Sequence, residues 1–258
     1  MSEVTIRGRK LAYDAQPESF DKSALTTTFV HGSGGDREEW RSQLDSLSDK
    51  FNVIALELPG HGASEPPGET TVAAYADWVV DFVEGLGLSK VVVVGCSLGS
   101  AIAQWIALSP KPWLVGIGLV GAGARLKVHP GFLEGMLNFN PDTLMSFADF
   151  AVSREAEPSV RSAVRDRFLK GPVELIHGDL VACNEFDIVD RVGRISLPAC
   201  IVVGEDDRLT PVKYSQFLHS AISGSELTVI PGAGHLVMME KPKEFNKFLG
   251  DFLEKLAS

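Results

Sequence analysis

The chain contains little cysteine and no long apolar run. Its cysteines, Cys96, Cys183 and Cys200, are odd in number, widely spaced and without a C-x-x-C pair, which favours free thiols in a reducing compartment. The first residues lack the apolar core of a signal peptide, and the longest nearly apolar stretch, 113–124, is too short and glycine-rich to span a bilayer. We therefore expect a cytoplasmic protein with no membrane partner.

An excess of positive charge is also missing. The chain has 24 Lys and Arg against 34 Asp and Glu, a formal net charge of −10, and no run of basic residues. This balance argues against nucleic acid as a partner and favours a small molecule. No histidine pair or acidic cluster has metal-ligand spacing, so we expect no metal. The oligomeric state is left open.

What the chain does have is a regular alternation of short apolar runs and helical patterns. This alternation predicts an α/β protein with a mostly parallel sheet. At the first helical pattern, Asp36 followed by Glu39 resembles a capping box. Gly85 and Gly87 are expected to end the pattern that starts near Val72. The predicted strands are residues 4–6, 10–13, 26–30, 52–56, 91–94, 115–120, 200–203 and 227–230.

The alternation stops between Arg125 and Arg194, where helical fragments are interrupted by four prolines. We interpret this stretch as a mainly helical cap, residues 125–194, inserted into an α/β core of residues 1–124 and 195–258. The following phenylalanines of the stretch suggest an apolar pocket lining: Phe132, Phe139, Phe147, Phe150, Phe168 and Phe186.

The sequence Gly95-Cys96-Ser97-Leu98-Gly99 follows four valines and runs into a helical pattern. A strand that ends in a sharp turn, with Ser97 at the apex, exposes the hydroxyl, and the flanking glycines leave room for the returning backbone. The helix N-terminus beside it favours negative charge. The pattern predicts the nucleophile of a serine hydrolase. We interpret Cys96 as a small buried residue that fills the turn. The alternative is that Cys96 supplies a catalytic thiol.

A serine hydroxyl needs a base, and the base needs a partner that holds its tautomer. His235 follows the last predicted strand in a glycine-containing loop, at the sheet edge where open α/β proteins place their chemistry. The candidate acids follow the preceding strand, in Glu205-Asp206-Asp207. The chain therefore carries serine, acid and histidine in that order.

The chain resembles the α/β-hydrolase fold proteins along nearly its whole length. The resemblance rests on five motifs in the family's order: His31-Gly32-Ser33-Gly34-Gly35, Leu58-Pro59-Gly60-His61-Gly62-Ala63-Ser64, Gly95 to Gly99, Gly204-x-x-Asp207-x-x-x-Pro211 and Gly234-His235. It implies a mostly parallel eight-stranded sheet flanked by helices, with a mainly helical cap.

Carried over residue by residue, the resemblance implies that Ser97 is the nucleophile, His235 the base and then the acid, and Asp207 the orienting carboxylate. The family's spacing of three residues after the motif's glycine selects Asp207 over its neighbours. The oxyanion hole would use the backbone N–H groups of Ser33 and Leu98. No cofactor is required.

The expected reaction is hydrolysis of a small or medium carboxylic ester, thioester or lactone through an acyl-enzyme on Ser97. A carbon–carbon bond hydrolase or a peptidase on the same triad stays open, as does a non-catalytic small-ligand sensor of the same fold. Arg125, just past the strand 115–120, is a candidate contact for an anionic substrate group. A solvated arginine at the domain junction is the alternative.

Other conspicuous residues have structural interpretations. Residues 116–121 match G-x-G-x-x-G, but the glycines lie inside a strand pattern and no helix begins at the third one. Close packing against neighbouring elements explains them better than a dinucleotide. His31 and His61 lie in glycine-rich turns and are expected to hold those loops by hydrogen bonds to the backbone.

Overall fold

The structure, a computed structural model, describes residues 1–18, 21–138 and 140–257. One sheet runs through them, in the order β1-β2-β4-β3-β5-β6-β7-β8. All eight predicted strands are confirmed. Their bounds are β1 Ser2–Ile6, β2 Arg9–Gln16, β3 Thr26–Val30, β4 Asn52–Leu56, β5 Val91–Cys96, β6 Leu114–Val120, β7 Ala199–Gly204 and β8 Glu226–Ile230.

The sheet is mostly parallel. Only β2 runs against its neighbours, pairing antiparallel with β1 and β4, while β4, β3, β5, β6, β7 and β8 pair in parallel. The central strands are buried along their whole length, which is why they read as continuous β-branched runs without polar alternation. Because parallel strands point the same way, their carboxyl ends share one edge of the sheet.

Helices cover both faces of the sheet. Their bounds are α1 Arg41–Leu47, α2 Val72–Leu86, α3 Leu98–Ala107, α4 Pro130–Leu137, α5 Pro141–Phe150, α6 Pro158–Lys170, α7 Val173–Glu185, α8 Val212–Ala221, α9 Val237–Glu240 and α10 Pro242–Ala257. Helices α2, α3 and α8 pack into one apolar cluster and α1, α9 and α10 into the cluster on the other face. Among the described residues, no helix combines the length and apolarity that crossing a bilayer requires.

Two helix boundaries differ in detail from the sequence prediction. Gly87, at φ +70°, ends α2, whereas Gly85 lies inside the helix. At the first helical pattern, Asp36 caps a short 3₁₀ turn by accepting the N–H of Glu38, which confirms the cap. Glu39 does not complete a capping box, because its carboxylate turns to the N–H of Gly32.

Helices α4 to α7, called here the inserted helices, lie between β6 and β7. Three of the prolines that look like breaks in the sequence are first residues of α4, α5 and α6, where a missing N–H costs nothing. Phe147 on α5 packs edge-on against Phe132 and Phe168, with 5.2 Å between ring centroids in both pairs. An aromatic contact thus joins α4, α5 and α6.

The glycines of β6 are explained by close packing. A Cβ at Gly116 would lie 2.8 Å from Leu256 Cδ1 of α10, and one at Gly118 would lie 2.8 Å from Val94 Cγ2 of β5. Both contacts are shorter than carbon atoms tolerate, so the neighbouring side chains fill the space. The glycines of this motif therefore allow β6 to pack closely against α10 and β5.

Candidate active site

Ser97 lies at the apex of a strained turn between β5 and α3. Its backbone has φ +52° and ψ −112°, a conformation that L-residues adopt rarely. A Cβ at Gly95 would lie 2.1 Å from the Gly99 carbonyl carbon, and one at Gly99 would lie 2.2 Å from the Val30 oxygen. Only glycine fits at these two positions, as the turn geometry predicts.

The carboxyl edge of the sheet collects the candidate residues. Ser33 follows β3, Ser97 follows β5, Asp207 follows β7 and His235 follows β8. These strands lie next to one another or one strand apart, so four separate loops meet at one place.

Asp207 holds His235 in a fixed orientation. Its Oδ2 lies 2.8 Å from His235 Nδ1, and the carboxylate also accepts the N–H groups of Leu209 and Thr210 and the Thr210 hydroxyl. The carboxylate is therefore satisfied without solvent. With Nδ1 directed at Asp207, Nε2 is the ring nitrogen left to exchange a proton.

The surroundings favour the charged form of His235. Burial alone would lower the pKa of the imidazole, but the charge and hydrogen bond of Asp207, together with the charges of Glu39 and Glu240, outweigh burial and raise it. The ring packs over Gly121, where a Cβ would lie 2.8 Å from both Cε1 and Nδ1. A larger residue at that position would displace the ring.

The loop after β3 leaves one backbone donor free. The N–H of Gly32 donates to Glu39, that of Gly34 to Asp179 and that of Gly35 to the Gly32 carbonyl. Between them, the N–H of Ser33 has no partner in the part of the chain that the structure describes. An unpaired backbone donor beside a nucleophile is what an oxyanion hole requires.

The second candidate donor belongs to helix α3. Leu98 is the first residue of that helix, so its N–H is among those without a partner one turn back. The loop after β3 passes close by, because a Cβ on Gly32 would lie 3.4 Å from Ser97 Cβ. The structure thus brings Ser33, Ser97 and Leu98 together.

A cavity of about 480 Å³ opens beside Ser97 and is lined mostly by apolar side chains. Phe132, Phe147 and Phe150 are among them, as the sequence suggests. Phe168 lines a smaller adjoining cavity and Phe186 is buried in the core. Phe139 lies outside the described residues. The inserted helices therefore supply much of the apolar lining.

Arg125 lies apart from this cluster. Its Nε donates to Asp187 at 2.7 Å, its side chain is 52% exposed, and it lines a separate groove beside Tyr214. The basic side chains that line the Ser97 cavity are Lys127, His129 and Arg208. The other candidate residues meet at one edge, and Arg125 does not join them.

His31 and His61 make the backbone hydrogen bonds expected of them. His31 Nδ1 donates to the Gly32 carbonyl at 2.8 Å and Nε2 accepts the Leu58 N–H at 3.1 Å, so the ring is neutral. Burial, and then the charge of His61, lower the pKa of His31 to about 3. His61 Nδ1 donates to the Pro59 carbonyl at 3.1 Å.

Cys96 is fully buried. Burial, and then the nearby charges of Glu39 and Asp207, raise the pKa of its thiol well above the ordinary value. A thiol held protonated is a poor nucleophile, which favours the interpretation of Cys96 as a small residue that fills the turn.

Two buried carboxylates lie beside the site; the sequence pattern gives Glu39 only a capping role and does not single out Asp179. Glu39 is 4% exposed and pairs with Arg167, and Asp179 is fully buried and pairs with His61. Both contacts join the inserted helices to loops at the sheet edge. The partners are 128 and 118 residues apart in the chain, and no local pattern points to them.

The model of the alpha/beta hydrolase family matches residues 29–248. A thermophilic esterase of known structure superposes with a TM-score of 0.87 at 34% identity, over 99% of this chain and 97% of that one. Est816, described as an N-acyl homoserine lactone degrading enzyme, gives 0.87 at 27% identity, over 97% and 100%.

A curated relative is the dihydrolipoyllysine-residue acetyltransferase component of the acetoin cleaving system of Cupriavidus necator. It is 30% identical over 88% of this chain, which spans only 63% of that protein's length. With the family match, the sheet order and the turn at Ser97, the chain belongs to the alpha/beta hydrolase family and has its fold.

Proposed function

We propose that the protein hydrolyses small or medium carboxylic esters, or lactones, through an acyl-enzyme on Ser97. One observation carries the proposal: Ser97 lies at a strained turn, at the same sheet edge as a buried His235–Asp207 pair separated by 2.8 Å. The likeness to an esterase and to a lactone-degrading enzyme supports it. Residues 125–194 form the cap, and no cofactor takes part.

In the first step, Ser97 Oγ attacks the substrate carbonyl while His235 Nε2 takes the hydroxyl proton. The carbonyl oxygen becomes an oxyanion, which the N–H groups of Ser33 and Leu98 stabilise. The tetrahedral intermediate collapses, the ester C–O bond breaks, and the alcohol leaves with the proton from His235. Water then attacks the acyl-enzyme, again with His235 as base, and the released acid regenerates Ser97.

The cavity sets the substrate size. Its volume of about 480 Å³ lies in the range of small-molecule sites and suits an acyl or alcohol group of modest length. An apolar lining favours a hydrocarbon portion. We therefore expect activity to rise and then fall as the acyl chain lengthens.

The test is hydrolysis of p-nitrophenyl esters of increasing acyl length by the wild type and Ser97→Ala. We expect turnover that the substitution reduces to background, with a maximum at short or medium length. Cys96→Ala is the matched control, because it removes the neighbouring thiol and should keep most of the activity. Turnover that survives Ser97→Ala, or no turnover of any ester, would overturn the proposal.

A further inference from the structure

Glu39 places a carboxylate inside the candidate active site. With Ser97 and His235 it lines the small cavity that adjoins the larger one. Its Oε2 accepts the Gly32 N–H at 3.2 Å, and its Oε1 accepts a bond from Arg167 Nη1 at 3.1 Å. The proposed mechanism gives this buried charge no part.

Arg167 reaches the same place from the inserted helix α6. Its Nε donates to Asp36 Oδ2 and its Nη1 to Glu39 Oε1, both at 3.1 Å, and its side chain is only 13% exposed. One guanidinium therefore holds two carboxylates that directly follow the loop bearing Ser33. A buried ion pair adds little net stability over an apolar pair, so stability alone does not account for it.

The loop bearing Ser33 is held from both sides. Glu39 accepts the N–H that precedes Ser33, and Asp179 of α7 accepts the N–H that follows it. The Ser33 N–H between them is the candidate oxyanion donor. Because such a donor acts only when it points at the developing charge, loss of either hold would misdirect it.

Glu39 also acts on His235 through its charge. The charged groups that face His235 are Asp207 after β7, Glu39 after β3 and Glu240 of α9, and all three raise the pKa of the imidazole. Burial raises the pKa of the Glu39 carboxyl and Asp36 adds to that shift, whereas Arg167, the Gly32 N–H and His235 favour the charged form. A negative charge here stabilises the imidazolium that forms when Ser97 gives up its proton.

We propose that Glu39 and Arg167 are a positioning pair: Arg167 of the inserted helices fixes Glu39, which orients the Ser33 N–H and stabilises the His235 imidazolium. This inference rests on the proposed function, because it assigns the pair to the same acyl transfer. It makes α6 a part of the catalytic apparatus as well as of the pocket wall.

The first test is Glu39→Gln, which keeps an oxygen that can accept the Gly32 N–H but removes the charge. We expect kcat to fall about tenfold with KM within about twofold. The acid limb of the kcat/KM profile should move to lower pH, because His235 loses a charge that raises its pKa. Glu38→Gln, one residue away and exposed, is the control and should leave both unchanged.

The second test approaches the pair from α6. Arg167→Gln should lower kcat as Glu39→Gln does, and Arg167→Lys should restore part of it. The peptide that contains residues 31–36 should exchange its amide hydrogens faster in Arg167→Gln than in the wild type. Arg165→Gln is the control, since Arg165 lies on the same helix as Arg167 but pairs with Asp149 of α5 and does not contact the loop.

The outcomes separate the two proposals. If the wild type shows no Ser97-dependent turnover, both the proposed function and the positioning pair are overturned. If the wild type is active and the Glu39 and Arg167 variants match their controls in kcat and pH profile, only the positioning pair is overturned. Should Glu39→Gln not fold, Arg167→Gln and the exchange of the 31–36 peptide decide the matter alone.

Discussion

Two buried histidine–aspartate pairs with the same 2.8 Å separation lie in this protein. In one, His61 Nε2 lies against Asp179 and Nδ1 donates to the Pro59 carbonyl, so both ring nitrogens are used within the fold. In the other, His235 uses Nδ1 for Asp207 and shares a cavity with the candidate nucleophile.

The carboxylates differ as well. Asp179 accepts bonds from His61, the Tyr75 hydroxyl at 2.6 Å and the Gly34 N–H at 2.8 Å, so an inserted helix is tied to two core loops. Asp207 accepts from its own loop and from His235. The comparison teaches that pair geometry does not identify a catalytic histidine. What matters is a ring nitrogen that faces a cavity beside a nucleophile.

The largest effect should come from Asp207→Asn. The amide would present an N–H to His235 and favour the wrong tautomer, so we expect kcat to fall about 10,000-fold, the loss typical of this change in known serine-triad hydrolases. Ester hydrolysis measures the effect. Asp206→Asn, at the neighbouring carboxylate, should keep most of the activity. An equal loss in that variant would contradict the choice of Asp207 as the orienting acid.

Asp179→Asn should affect stability more than activity. It leaves the His61 imidazolium buried without its counter-charge, so the free energy of unfolding should fall by about 3 kcal/mol. An asparagine oxygen can still accept the Gly34 N–H, so we expect kcat to fall no more than about tenfold. Urea unfolding decides: unchanged stability with lost activity would make this pair catalytic and contradict the distinction.

The pH dependence of stability sharpens the comparison further. Burial alone would lower the pKa of His61, but the Asp179 charge and hydrogen bond, together with the backbone hydrogen bonds, outweigh burial and raise the pKa above its ordinary value of 6.5. Since the folded-state value is the higher one, the stabilisation is complete below 6.5 and is lost as pH rises through the folded-state pKa.

The stability gap between the wild type and Asp179→Asn should therefore be wider at about pH 6 than at about pH 9. The His235–Asp207 pair is present in both proteins and cancels in the difference. Urea unfolding at the two pH values measures the gap. A gap independent of pH would mean that His61 does not gain its proton on folding.

The smallest effect should come from Arg125→Met. Its bond to Asp187 is as short as those of the buried pairs, at 2.7 Å, but both side chains are about half exposed. Exposed ion pairs contribute about 0–1 kcal/mol, so we expect little change in unfolding. The ratio of kcat/KM for anionic and neutral esters should stay within about twofold, and a larger loss for the anionic ester would give Arg125 a role in binding.

The sequence predicts well whatever depends on local order. The central strands are short β-branched runs, and Ser97, Asp207 and His235 each follow the end of a strand, so parallel pairing alone brings them to one edge. Gly95 and Gly99 predict the sharp turn, because these two positions, each two residues from Ser97, have no room for a side chain.

Contacts that depend on long-range packing could not be predicted in this way. Asp36 and Glu39 have the spacing of a helix cap, and only the tertiary structure brings Arg167 close enough to turn Glu39 towards Gly32. Asp179 lies in α7, and its partners come from two separate loops and from helix α2. Gly85 stays helical since tertiary packing outweighs its low propensity.

The most direct test of the account is the mass of the protein during turnover. Acid quenching of the wild type with a slowly deacylated p-nitrophenyl ester, followed by mass spectrometry of the intact chain and its peptides, would locate the acyl group. We predict one acyl group on Ser97, and none in Ser97→Ala. Ester hydrolysis with no acyl-protein, or with the acyl group on Cys96, would contradict the serine mechanism.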